Sequence, residues 1–136
     1  NDVSQLPPEL LRKGRFDEIF FVDLPGDDER DAIWRIHLQR RNRTPGNFDV
    51  TAFVKLTDGF TGSGIEQTVI DGLYDAFDTG HELDTPAVIN AIQRPVPLSV
   101  TMSEQIDAMR QWATKRARPA SSSIPAVNDG LRKLAA

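Results

Sequence analysis

No cysteine occurs in the sequence, which excludes disulfides and thiolate metal sites and is compatible with a reducing compartment. Histidine is scarce as well: His37 and His81 stand far apart, so no metal site is expected. There is no apolar run near the ~20 residues that a membrane-spanning helix needs, and no secretory leader pattern. Positive charge is not in excess: the net charge of −4 argues against a general nucleic-acid binder. Two further absences concern phosphate chemistry. The chain has no G-x-x-x-x-G-K-[ST] turn to cradle phosphates, and no apolar run ending in paired acids to hold a metal ion. It opens on Asn1 rather than Met, which leads to the expectation of a piece of a longer protein.

What is present suits an ordinary globular domain, with 39% hydrophobic and 26% charged residues. A chain of 136 residues makes one domain, or one small domain with an appendage. The informative stretch is Leu10-Leu11-Arg12-Lys13-Gly14-Arg15-Phe16-Asp17, followed by the apolar run Ile19-Phe20-Phe21-Val22. Arg12 and Arg15 are planar, permanently charged donor forks held around a glycine, an arrangement able to clamp phosphate oxygens. Alone, such a pair is usually a solvated surface feature. Ile19–Val22 reads as an inner parallel strand, apolar on both faces, whose partners are expected to lie outside this sequence.

Beyond Pro25-Gly26 the pattern turns helical. Asp27-Asp28-Glu29 supplies a cap and acidic first turn for a helix reaching about Arg43, with Ile33, Ile36, His37 and Arg40 on one side. Arg40, Arg41 and Arg43 read as charges matched to that helix's C-terminal end. Asp49 caps a second helix that turns Val50, Phe53, Val54 and Leu56 inward. Ser63 and Glu66 form an S-x-x-E box opening a third, striped by Ile65, Val69, Leu73 and Phe77. Thr85-Pro86 opens a fourth, packed through Val88, Ile89 and Ile92. Thr101 and Glu104 open a helix from about Met102 to Arg116, with Ile106, Met109, Trp112 and Ala113 on its apolar side. Residues 120–130 are rich in Ser, Pro, Asn and Gly and read as a tail.

Read with its flanks, Leu6-Pro7-Pro8-Glu9-Leu10-Leu11-Arg12-Lys13-Gly14-Arg15-Phe16-Asp17 resembles the L-x-P-A-L-L-R-x-G-R-F-D segment of AAA-type ATPases. The resemblance continues through Asp23-Leu24-Pro25, Ile33-Trp34-Arg35-Ile36-His37 and Thr57-Asp58-Gly59-Phe60-Thr61-Gly62-Ser63-Gly64-Ile65. The family pattern at the last of these is T-x-G-F-S-G-A-[DE]-[LI], from which Ser63 and Gly64 depart. Over residues 85 to 121, through the run Val96-Pro97-Leu98-Ser99-Val100-Thr101-Met102-Ser103-Glu104, Trp112 and Arg118-Pro119-Ala120-Ser121, the chain is similar to the C-terminal end of AAA ATPases encoded in cyanobacteria and red-algal plastids.

The resemblance implies a mainly α fold: a helical lid, built as a four-helix bundle plus an extra C-terminal helix, preceded by the last strand of an α/β nucleotide-binding core. Residues 1–24 would be the core remnant, 25–94 the lid, 95–119 the extension and 120–136 a flexible tail. It implies that Arg12 and Arg15 are arginine fingers for a neighbouring subunit's ATP, and that Asn1 is the sensor that orients the attacking water. Ile33 and His37 would pack against adenine and ribose, and the backbone at Gly62 and Ser63 against adenine. The intact parent would use ATP and Mg²⁺ in a ring, expected to be hexameric, to remodel a protein client in the bacterial cytosol or plastid stroma. No membrane or nucleic-acid partner is implied. Lacking the phosphate-gripping turn, this polypeptide alone is expected to be inactive and to bind no cofactor. The reading set against it is a helical protein–protein interaction module with no nucleotide role.

Overall fold

The computed structural model describes residues 5–11, 14 and 18–121. Those residues form β1 (Phe20–Phe21), α1 (Asp27–Arg40), α2 (Val50–Leu56), α3 (Gly62–Asp78), α4 (Thr85–Ile92), α5 (Leu98–Thr101), α6 (Ser103–Arg116) and β2 (Arg118–Pro119). They divide into two compact units, one running from Leu24 to Ile106 and the other joining the stretch up to Asp23 with that from Asp107 onward. Among the described residues no helix is long and apolar enough to cross a membrane.

The helical unit is a bundle of α1 to α4 around Trp34, Leu38, Phe53, Ile65, Val69 and Val88, all fully buried. Each such side chain contributes about 1.5–3 kcal/mol by leaving water. The rings of Trp34 and Phe53 meet at 4.9 Å and a tilt of 47°, within the range favoured by aromatic quadrupoles. The polar end of Trp34 is also satisfied: Nε1 donates to Thr57 Oγ1 at 3.3 Å, and that hydroxyl donates to the Phe53 carbonyl at 2.7 Å.

Local chemistry sets the helix boundaries. Gly26 is the N-cap of α1, and its backbone N–H donates to Glu29 Oε2 at 2.8 Å, so the acidic run lies inside the first turn. The helix stops at Arg40, and Asn42 takes a left-handed φ of 56°. Asp49 caps α2 as its sequence predicts, accepting from Ala52 N at 3.1 Å. Asp84 rather than Thr85 caps α4, accepting from Ala87 N at 2.9 Å. The Thr85 hydroxyl accepts instead from Asp49 N at 3.1 Å.

Several buried faces differ from the sequence reading. On α1 the inward residues are Arg30, Trp34 and Leu38, whereas Ile36 is half exposed. Leu56 on α2 and Met109 on α6 are exposed in the same way. On α3, Ile65 and Val69 point inward, but further along Gly72 and Ala76 take over and Phe77 is 86% exposed. Close approach explains the small residues: a Cβ on Gly72 would stand 3.1 Å from Leu83 Cδ1 and 3.8 Å from Ala91 Cβ.

In the other unit, β1 finds a partner within the chain, against the expectation that its partners lie elsewhere. It pairs in parallel with β2, Phe20 opposite Arg118 and Phe21 opposite Pro119. Arg118 N donates to the Ile19 carbonyl at 2.7 Å and Ala120 N to the Phe21 carbonyl at 2.9 Å. Pro119, which has no N–H, falls between the two donors, where a proline is tolerated. Phe20 is 57% exposed, so the strand is not enclosed on both faces as an inner strand would be. Beside it, Arg110 makes a bidentate pair with Asp23, Nε to Oδ2 at 2.8 Å and a terminal nitrogen to Oδ1 at 2.9 Å. The Arg116 guanidinium lies 5.6 Å from the centre of the Trp112 ring.

Candidate nucleotide-contact face

Asn1, Arg12 and Arg15 lie outside the described residues; Gly14, between the two arginines, has a φ of 97°, a conformation that glycine adopts without strain. Ile33, His37, Gly62 and Ser63 are all described, and α1 and α3 bring most of them together.

Residues four apart on a helix share a face, so Ile33, His37 and Arg41 line one side of α1 and its C-terminal end. Gly62 and Glu66 line the opposing side of α3. The two rows meet. A Cβ on Gly62 would lie 3.7 Å from Ile33 Cδ1, ordinary van der Waals distance. One turn further along, His37 Nδ1 is 3.7 Å from Glu66 Oε1, and a terminal nitrogen of Arg41 is 3.6 Å from the same oxygen. His37 is mostly covered, and its Nδ1 is a buried atom without a hydrogen-bond partner.

Ser63 is exposed, and its hydroxyl lies 3.1 Å from Thr61 Oγ1. The cap of α3 is Thr61, not Ser63: its hydroxyl accepts from Gly64 N at 3.0 Å. The S-x-x-E reading is therefore corrected. Glu66 faces α1 instead of returning to the helix start.

Sequence reasoning missed Arg30, which is 4% exposed. Its Nε donates to the Val54 carbonyl at 3.3 Å and one terminal nitrogen to the Pro25 carbonyl at 2.7 Å. The other terminal nitrogen donates to Asp27 Oδ1 at 2.5 Å, and Asp58 Oδ1 lies 3.5 Å from the first. One planar cation thus fastens the Pro25 entry to the end of α2 and to the loop that leads into α3, using donors in several directions at once. The signal was available as helical spacing, since Arg30, Trp34 and Leu38 are four apart. Gly59, in the same loop, has a φ of 78°, and a Cβ there would stand 2.0 Å from Ser99 Oγ, so α5 packs directly on its backbone.

A shallow pocket of about 430 Å³ opens elsewhere in the bundle, lined by Leu73, Tyr74, Phe77 and Leu83 with Arg41 and Arg43 at its edge. No group of His, Asp or Glu able to hold a metal ion is found among the described residues.

The mainly helical fold is consistent with the helical C-terminal subdomain of AAA+ proteins, and the chain belongs to the AAA family. No family model matches it. Among individual proteins it is 47% identical over 114 residues to the uncharacterized AAA domain-containing protein ycf46 of Gracilaria tenuistipitata var. liui, covering 83% of this chain and 23% of that protein. It is 43% identical over 123 residues to ycf46 of Pyropia yezoensis, covering 89% of this chain and 25% of that protein. A more distant relative is the proteasome-activating nucleotidase of Sulfurisphaera tokodaii, 35% identical over 95 residues, covering 69% and 24%. The chain spans about a quarter of the length of the curated relatives it matches.

Proposed function

We propose that the chain supplies the helical lid, with its C-terminal extension, to an AAA ATPase that hydrolyses ATP in a ring, expected to be hexameric, and remodels a protein client in the bacterial cytosol or plastid stroma. In this reading the bundle covers the nucleotide of its own subunit, and Arg12 and Arg15 reach the nucleotide of the next. The observation that carries it is the meeting of Ile33 with Gly62 and of His37 with Glu66 along one α1–α3 seam. The residues fit a nucleoside: Ile33 offers an apolar surface to a flat base, and Gly62 opens a helix without a side chain. His37, mostly covered in the same seam, adds an imidazole whose ring nitrogens can hydrogen-bond a sugar or base.

ATP and Mg²⁺ would be held mainly by parts of the parent that these residues do not include, a phosphate-cradling turn and paired acids. The part assigned to this chain is positioning and charge. Ile33, His37, Gly62 and Ser63 would fix the adenosine end, Asn1 would orient the attacking water, and the two guanidinium groups would offset charge developing on the γ-phosphoryl oxygens. An arginine finger contributes ~10³ to 10⁵ in rate in comparable systems. Arg15→Ala in the full-length protein should therefore reduce turnover by about that factor while sparing nucleotide binding; unchanged turnover refutes the assignment. The 136-residue chain assayed alone should show no hydrolysis.

The competing reading, an interaction module that never meets nucleotide, has one observation in its favour. Tyr74 and Phe77 are 71% and 86% exposed on α3 beside the pocket described above, and aromatic side chains in the open are common partner contacts. Titration of the full-length protein with a fluorescent ATP analogue separates the two: loss of affinity in His37→Ala supports the lid, and affinity indifferent to His37 and Ile33 supports the module.

A further inference from the structure

We propose that Glu66 is the positioning residue for His37, fixing the imidazole as its Nδ1–H tautomer so that Nε2 is left as a hydrogen-bond acceptor. The inference deepens the lid reading and rests on its assignment of His37 to the nucleotide.

The geometry of the seam carries it. His37 Nδ1 is buried and has no hydrogen-bond partner, a costly state for a polar atom unless something nearby can satisfy it. The acidic oxygen placed to do so is Glu66 Oε1, at 3.7 Å. Glu66 is 41% exposed, so a side-chain adjustment can bring it to the usual ~2.9 Å. Glu66 is also released from helix capping, because Thr61 does that work for α3. Arg41 reaches the same carboxylate oxygen at 3.6 Å from the end of α1, so the carboxylate lies between a fixed cation and the imidazole.

A neutral imidazole carries one proton on two nitrogens, and the hydrogen bond at one nitrogen decides the state of the other. A carboxylate accepts only, so beside Nδ1 it favours the proton there. Nε2 then presents a lone pair, and its complement is a ligand hydroxyl or amino hydrogen. Ribose hydroxyls and the adenine amino group both belong to that chemical class. Without Glu66 nothing in the α1–α3 seam described above would favour that tautomer, and the ring could offer a donor where an acceptor is needed.

The first measurement is ¹⁵N imidazole NMR on the 136-residue chain near neutral pH, with exposed His81 as internal reference. His37 should show protonated Nδ1 and bare Nε2; Glu66→Ala should move it toward the opposite tautomer, and Glu66→Gln, whose amide oxygen still accepts, should retain more of the native signal. An identical His37 spectrum in Glu66→Ala overturns the proposal. The second measurement is ATP affinity of the full-length protein. Glu66→Ala should weaken it about ten-fold, with kcat at saturation little changed, a split that a loss of fold would not give. If His37→Ala weakens binding and Glu66→Ala does not, the role of Glu66 is refuted while the lid reading stands. If neither substitution alters affinity, the lid assignment of His37 is itself wrong, and the proposal falls with it.

Discussion

The helical unit and the strand unit are held together by different means. The bundle encloses Trp34, Phe53, Ile65 and Val88 and hydrogen-bonds the buried Arg30 and Thr57 internally. The strand unit has a two-residue parallel pair, one bidentate ion pair and a ring–cation contact. A two-stranded ribbon is marginal by itself, whereas a packed core is cooperative. The contrast teaches where sequence change is tolerated: inside the bundle volume and shape decide, and in the strand unit a few directed hydrogen bonds do.

The largest effect should follow from emptying the bundle. Trp34→Ala removes a fully buried indole and its hydrogen bond to Thr57, a change that costs about 3–5 kcal/mol. At ~4–8 °C per kcal/mol for a domain of this size, thermal unfolding followed by circular dichroism should move down by about 15 °C or more. A shift of a few degrees would mean that the core is not where the cooperativity lies.

A smaller effect is expected from the other side of the comparison. Arg110→Ala deletes both hydrogen bonds to Asp23, whose side chain is only 10% exposed. Hydrogen bonds to charged groups are worth about 1.5–3 kcal/mol. Native-state hydrogen exchange should show lost protection at the Arg118 and Ala120 amides, which donate to the Ile19 and Phe21 carbonyls, with amides in α1 and α3 unaffected. Equal loss in both units would erase the distinction drawn here.

The smallest effect concerns a surface pair on the bundle. Arg35 donates to both oxygens of Asp31, at 2.6 and 3.1 Å, and this hydrogen bond, with the guanidinium charge, holds the Asp31 carboxyl below its usual range. A depressed carboxyl stabilises the fold above its unfolded pKa of about 3.9. That contribution is lost as pH falls through the lowered folded value. Because the pair is exposed, the amount is small. The difference in melting temperature between pH 7 and pH 3 should be slightly narrower in Asp31→Asn than in the parent chain.

How much of this was legible beforehand varies by residue. The existence and order of the four bundle helices followed from periodicity, and Asp49 was readable as a cap because it directly precedes an apolar run. The inward face of α1 was read only in part: Ile33 does pack against the core, but Ile36 is exposed, and the buried row begins with an arginine that no hydrophobicity count selects. On α3, a straight i, i+4 stripe ends on Phe77, but a helix of 3.6 residues per turn drifts. Gly72 comes to face α4, and Ala76 is buried where Phe77 is not. The cap of α3 was ambiguous because Thr61 and Ser63 both carry hydroxyls, and only the geometry at Gly64 N separates them. The pairing of β1 with Arg118–Pro119 had no signal at all, since neither residue is typical of a strand. Of the candidate site, the Ile33–His37 row and Gly62 were visible through the family resemblance. Glu66 was visible only as a false cap, and Arg30 only through its four-residue spacing from Trp34, which a count of apolar residues passes over.

The tight seat of Ser99 on Gly59 has a practical consequence for anyone redesigning this bundle. The loop ahead of α3 cannot be stiffened from its own side: any side chain at 59 meets Ser99 and must also adopt a left-handed backbone. Trimming Ser99 to glycine would clear the space and leave the backbone penalty in place. Engineering leverage over that loop therefore lies in α5, the short element pressed onto it, and libraries aimed at its dynamics are better spent on residues 97–101 than on 59.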